Sequence, residues 1–179
     1  LVGLDLKEDV VSSCELLARR LGAEGLRFEV GDIAGHRGLD RADLVVSLHA
    51  CDTATDAALE RAVRWEADVV LAVPCCQHEL LGQLRNRELA PLLQHGVLKE
   101  RFAAEVTDAA RAQLLTLVGY ETQLVEFVPL EHTPKNVLLR AVRRPQRRRA
   151  RAAAEYRAFA DALEIRPWLE RALADLLPG

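Results

Sequence analysis

The chain has 179 residues, half of them hydrophobic, with aromatics at 4% and no methionine, so it can bury a sizeable core built of Leu, Val and Ala in one domain with at most a small appendage. A formal charge of -3 excludes a uniformly basic or acidic chain, although Arg143 to Arg151 gathers six arginines in nine residues. No apolar run nears the roughly 18 residues of a membrane span, and four cysteines, two of them adjacent and with no secretory signal ahead of them, read as reduced thiols in a cytoplasmic protein.

The chain opens with an apolar run, Leu1 to Leu6, whose first acid is Asp5; this is a strand. It starts without an initiator methionine, and the expectation is that a segment lies N-terminal to it. From Glu8 to Leu21 the apolar residues Val10, Val11, Cys14, Leu17, Ala18 and Leu21 repeat at helical spacing, and Gly22 and Gly25 end that helix. Leu26 to Val30 is a short strand followed by Gly31, Asp32 and Ile33, and a charged connection runs on to Arg41.

The next stretch organises the rest. Two apolar runs, Leu44 to Leu48 and Val69 to Val73, flank a helix that starts near Asp52 or Thr53 and buries Ala58, Leu59, Ala62 and Val63. That is the pattern of a βαβ unit, whose two strands run parallel. Both polar clusters, His49, Cys51 and Asp52 after the first run and Pro74, Cys75, Cys76 and His78 after the second, then leave the carboxyl edge of the sheet, where open α/β sheets bind ligands.

A helix is expected from Glu79 towards Gln94, kinked or restarted at Pro91, and another from Arg101 to Val118, marked by Phe102, Val106, Ala110, Leu114 and Leu117. Tyr120 to Val128 and Asn136 to Val142 are strand-like. Seven residues between them are too few for a parallel crossover, so the two form an antiparallel pair. From Pro145 to Leu177 the chain reads as two helices broken at Pro167. The domain reading is a sheet domain over 1–143 and a helical extension over 144–179.

Parallel units closed by an antiparallel hairpin, an acid ending the first strand and Gly31-Asp32-Ile33 ending the second resemble a class I S-adenosylmethionine-dependent methyltransferase over Leu1 to Val142. The fold this implies is a Rossmann-like α/β sheet, mostly parallel, starting at the family's second strand with the first strand and its Gly-rich loop missing. His49-Ala50-Cys51-Asp52-Thr53-Ala54-Thr55-Asp56 with Pro74-Cys75-Cys76-Gln77-His78 resembles a methyltransferase family with H-x-C-G-x-x-T-D and C-C-x-H elements, related to tRNA 2′-O-methyltransferases. Asp52 stands where the tRNA enzymes have Gly, which favours the family's members outside that activity. His132-Thr133-Pro134-Lys135-Asn136 is similar to the turn before the family's last strand.

The resemblance implies S-adenosylmethionine as cofactor. Asp5, beside Leu6, would accept the ribose hydroxyls, and Asp32 and Ile33 would meet the adenine. His49 would lie at the transferable methyl, with His49 or Asp52 as the base that takes a proton from an oxygen acceptor. Cys51, Pro74, Cys75, Cys76 and His78 would face the acceptor, an RNA or a protein. Each acid also has a plainer reading, as a turn residue or helix cap.

Thiolates and imidazoles are zinc ligands. However, the spacing is not that of a zinc knuckle, and neighbours at a strand end point in opposite directions; the cysteines are expected to pack without a metal. The arginine run lacks interleaved aromatics and reads as a solvated helix face, the alternative being a docking surface for RNA or protein in a non-catalytic binding module. The missing strand and loop imply weak cofactor binding and an inactive chain, with exposed apolar surface that the N-terminal segment would cover.

Overall fold

The computed structural model describes residues 1–48, 50–128, 136–144 and 149–178, with the side chains of 149 and 150 left out. His49, the turn residues 132–135 and residues 145–148 of the arginine run lie outside the described residues. The chain divides into two compact units, Leu1–Asp40 and Arg41–Gly179.

In the first unit, β1 (Val2–Asp5) pairs in parallel with β2 (Arg27–Val30), Asp5 opposite Val30. Between them runs α1 (Glu8–Arg20), with Glu8 and Asp9 in its first turn and Arg19 and Arg20 in its last, each complementing the helix dipole. The helix buries Val11 and Ala18. It ends as the glycine pattern requires. Gly22 takes φ +61°, the amide of Ala23 reaches the Ala18 carbonyl at 3.0 Å, and the Gly22 amide reaches that of Arg19 at 3.2 Å.

The second unit holds a four-stranded sheet in the order β3-β4-β6-β5. β3 (Leu44–Leu48) and β4 (Val69–Val73) are parallel and joined through α2 (Thr53–Arg64), the βαβ unit expected from the sequence. β5 (Tyr120–Glu126) and β6 (Val137–Arg143) are the expected antiparallel pair, and β6 also lies antiparallel to β4. The α/β class is therefore as the pattern of elements implies: parallel pairs followed by an antiparallel hairpin. β1 and β2 form a sheet of their own. β3 is an edge strand among the described residues; Val45 and Ser47 face the core while Leu44, Val46 and Leu48 are 51–60% exposed.

Packing and local hydrogen bonding set the remaining elements. The sequence places a boundary near residue 143, yet α6 (Arg149–Leu163) packs on α5 (Gly96–Leu117), and α7 (Trp168–Ala172) packs on α2 and α5, inside the second unit. Tyr156, Ile165, Leu169 and Leu173 are buried there, so the tail shares the core. The stretch from Glu79 towards Gln94, expected as a helix kinked or restarted at Pro91, forms α3 (His78–Gln83) and, restarted at Pro91, α4 (Ala90–Leu93). Asn86 Oδ1 accepts from the amides of Glu88 (2.8 Å) and Leu89 (3.1 Å), and such local bonds compete with a continuous helix. Pro91 sits in the first turn of α4, where its missing amide costs nothing. α5 starts at Gly96, five residues earlier than the apolar pattern suggests.

Candidate active site

The candidate residues fall in both units. In the first, Asp5 closes β1, and Asp32 lies two residues beyond Val30, the strand partner of Asp5, so both acids occupy the carboxyl edge of the parallel pair. Each is engaged in a turn. Asp5 Oδ1 accepts from the Lys7 amide at 2.8 Å, and Asp32 Oδ1 accepts from the Ala34 amide at 3.0 Å. Both acids are exposed, as is Leu6, and Ile33 is half-buried. A carboxylate with one oxygen fixed by a turn is held in place and presents its other oxygen outward, a geometry suited to hydroxyl or amine donors.

In the second unit the register Leu48 opposite Val73 sends the loops after β3 and β4 off the same edge. The two loops are tied together. The Asp52 amide donates to the Cys76 carbonyl at 3.1 Å. Asp52 Oδ1 accepts from the amides of His78 and Glu79, both at 2.9 Å, and so caps α3 from another loop. Asp52 itself takes φ +52° and ψ -125°, with the Ala54 amide bonded to the Cys51 carbonyl at 3.0 Å. That is the first central position of a type II′ turn, which suits glycine and strains any other residue. The carboxylate expected as a possible base is thus occupied in holding two loops together.

Beneath the loops lies a buried ionic network that sequence reasoning missed. Arg111 donates through Nε to Asp56 Oδ1 (2.8 Å), through Nη2 to Asp56 Oδ2 (2.8 Å) and the Asp52 carbonyl (2.9 Å), and through Nη1 to Asp108 Oδ1 (3.1 Å). Gln77 Nε2 donates to Asp108 Oδ2 at 3.3 Å. Burial works against the Arg111 charge, but Asp56 and Asp108 outweigh it and raise its pKa. Burial pushes the Asp108 carboxyl up against the pull of Arg111 and Gln77, and the charge of Asp56 adds a little to the rise. Thr55 adds a hydrogen bond to the Ala50 carbonyl. The Thr55-Asp56 half of the motif therefore anchors the loop. No helical period marked the network, since Asp108 and Arg111 lie off the stripe of Phe102, Val106, Ala110, Leu114 and Leu117.

Glu79, the first residue after His78, accepts from the Trp168 amide at 3.0 Å, and burial pushes its carboxyl above the ordinary range. His78 is exposed and Pro74 buried. The cysteines do not diverge as strand neighbours would. Residues Pro74 to Gln77 have left the strand, and the sulfurs of Cys51, Cys75 and Cys76 all lie within 4.8 Å of one another, Cys51 and Cys75 at 3.2 Å. Burial, with the neighbouring thiols, pushes Cys75 up to about 12.

Arg143 pairs with Glu66 (2.9 Å), Arg144 with Glu121 (3.8 Å) and Arg151 with Glu155 (2.8 Å), so these three arginines of the run meet carboxylates of their own chain. No helix of the described residues is long and apolar enough to cross a membrane.

Residues 1–83 match a family described as a methyltransferase domain. That span holds Asp5, Asp32, Asp52 and all three clustered cysteines. No curated protein matches the chain. Among solved structures, the PH0226 protein from Pyrococcus horikoshii OT3 is similar at 14% identity and a TM-score of 0.41, over 82% of this chain and 71% of that one. The magnesium protoporphyrin IX methyltransferase of Synechocystis PCC 6803, solved with bound SAH, is similar at 16% identity and a TM-score of 0.41, over 79% of this chain and 63% of its own length.

Proposed function

We propose that this chain is the S-adenosylmethionine-binding part of a methyltransferase acting on RNA or protein in the cytoplasm. The observation that carries the reading is the methyltransferase-domain match over residues 1–83, which spans both acid-bearing strand ends and both motif loops. The cofactor supplies a methyl group on a sulfonium, transferred in line to a lone pair of the acceptor. Asp5 with Leu6 takes the ribose hydroxyls, and Asp32 with Ile33 takes the adenine. His49 is the residue proposed to accept the acceptor's proton. Asp52, whose carboxylate caps α3, positions the loop that carries it. Cys51, Pro74, Cys75, Cys76 and His78 border the acceptor side.

The other reading, a docking module that uses its arginine run, has less support, since Arg143, Arg144 and Arg151 are already paired within the chain. The test is transfer of labelled methyl from S-adenosylmethionine to separated tRNA, rRNA and protein fractions by the full-length protein. Labelling of one fraction, lost in His49→Ala, supports the reading. No labelling, together with no heat of binding for S-adenosylhomocysteine, overturns it.

A further inference from the structure

We propose that Cys51, Cys75 and Cys76 form a three-thiolate site for one zinc ion, open to solvent at its fourth position. Thiolates on tetrahedral zinc sit about 2.3 Å from the metal, which puts each pair of sulfurs about 3.8 Å apart. Here all three sulfurs lie within 4.8 Å of one another, with Cys51 and Cys75 at 3.2 Å, so closing them around an ion changes each S···S separation by no more than about 1 Å. Three thiols crowded this closely gain little from one another, whereas a soft cation between them displaces their protons and bonds to all three.

The cluster is also pre-organised in the way metal sites are. Its sulfurs come from two loops, and the backbone of both is fixed by groups that do not belong to the cluster. Asp52 bridges them through the Cys76 carbonyl and the amides of His78 and Glu79. Arg111 holds the Asp52 carbonyl from below, and Asp108 holds Gln77, the residue after Cys76. The ligand positions are therefore set by a buried network before any ion arrives, as outer-shell partners do in metal sites. Cys51 is exposed and Cys75 and Cys76 half-buried, so an ion has a path in, and three protein ligands leave a fourth position for water or a lone-pair donor.

The experiment uses the full chain purified under reducing, anaerobic conditions, with zinc titrated against a colorimetric chelator and cobalt substituted as a spectroscopic probe. The expected result is roughly one zinc per chain, a cobalt–thiolate charge-transfer band, and loss of affinity of at least about tenfold in each of Cys51→Ser, Cys75→Ser and Cys76→Ser. Cys14→Ser, in α1, keeps the metal. Should the serine variants unfold, the cobalt band of the unmodified chain still counts the thiolates. A chain that takes up no zinc overturns the proposal, as does a triple variant that binds like the parent. So does aerobic protein that has lost two thiols to a disulfide and binds no metal after reduction.

Discussion

Arg111 and Asp56 lie 55 residues apart in sequence and meet through two hydrogen bonds of 2.8 Å, both side chains almost wholly buried. The pair fixes the start of α2 to the middle of α5, and through the Asp52 carbonyl it fixes the loop after β3 as well. Its net contribution is set by what its loss would leave behind. Arg111→Met strands Asp56 and Asp108 as buried acids without a cation, and unfolding in urea should show a loss of about 3–5 kcal/mol. Arg111→Lys should recover little of it, since an ammonium cannot present the planar fork that meets both oxygens. A loss within experimental error for Arg111→Met would mean that the network is not closed in solution.

Asp52 carries two opposed effects that substitution separates. Asp52→Ala keeps the strained backbone and loses the cap on α3, and should destabilise by about 0.5–2 kcal/mol. Asp52→Gly loses the same cap but relieves a φ of +52°, a conformation that costs a non-glycine residue about 1–3 kcal/mol. Glycine should therefore be close to neutral and more stable than alanine. Thermal melts of the two variants side by side decide it; equal melting temperatures would remove the strain from the account.

Tyr120 donates its hydroxyl to the Ala67 carbonyl at 2.9 Å, and burial pushes its phenol up to about 12 from the ordinary 10.0. The folded chain then holds that proton where the unfolded chain has released it. Between those two values the folded state binds more protons, so stability falls as pH rises through the window. Tyr120→Phe should lose about 1 kcal/mol at neutral pH and show a flatter decline in alkali. Urea melts across that range, on both proteins, give the comparison.

Asp5→Ala in the full-length protein should weaken S-adenosylhomocysteine binding by about 1.5–3 kcal/mol, the scale of hydrogen bonds to a charged group. The Lys7 amide loses its partner as well, but it is exposed and water replaces the carboxylate, so the melting temperature should change little. Calorimetry that returns an unchanged dissociation constant would remove Asp5 from the ribose position.

Much of this protein was determined by local pattern. The apolar runs at Leu44 to Leu48 and Val69 to Val73 read as short strands, and a helical repeat between them forced the parallel unit and put both motif loops on one edge. The short link before β6 forced the antiparallel hairpin. Gly22 marked the end of α1 because only glycine takes its conformation cheaply. Tertiary structure decided the rest. Whether a mid-helix Arg faces solvent or a carboxylate 55 residues away depends on which elements meet, and no period in the sequence encodes that. That Asp52 also caps α3 from another loop shows only in the fold. Cys75 and Cys76 diverge while the chain is a strand and converge with Cys51 once it leaves the pleat at Val73, a change of backbone direction that long-range hydrogen bonds to Asp52 impose.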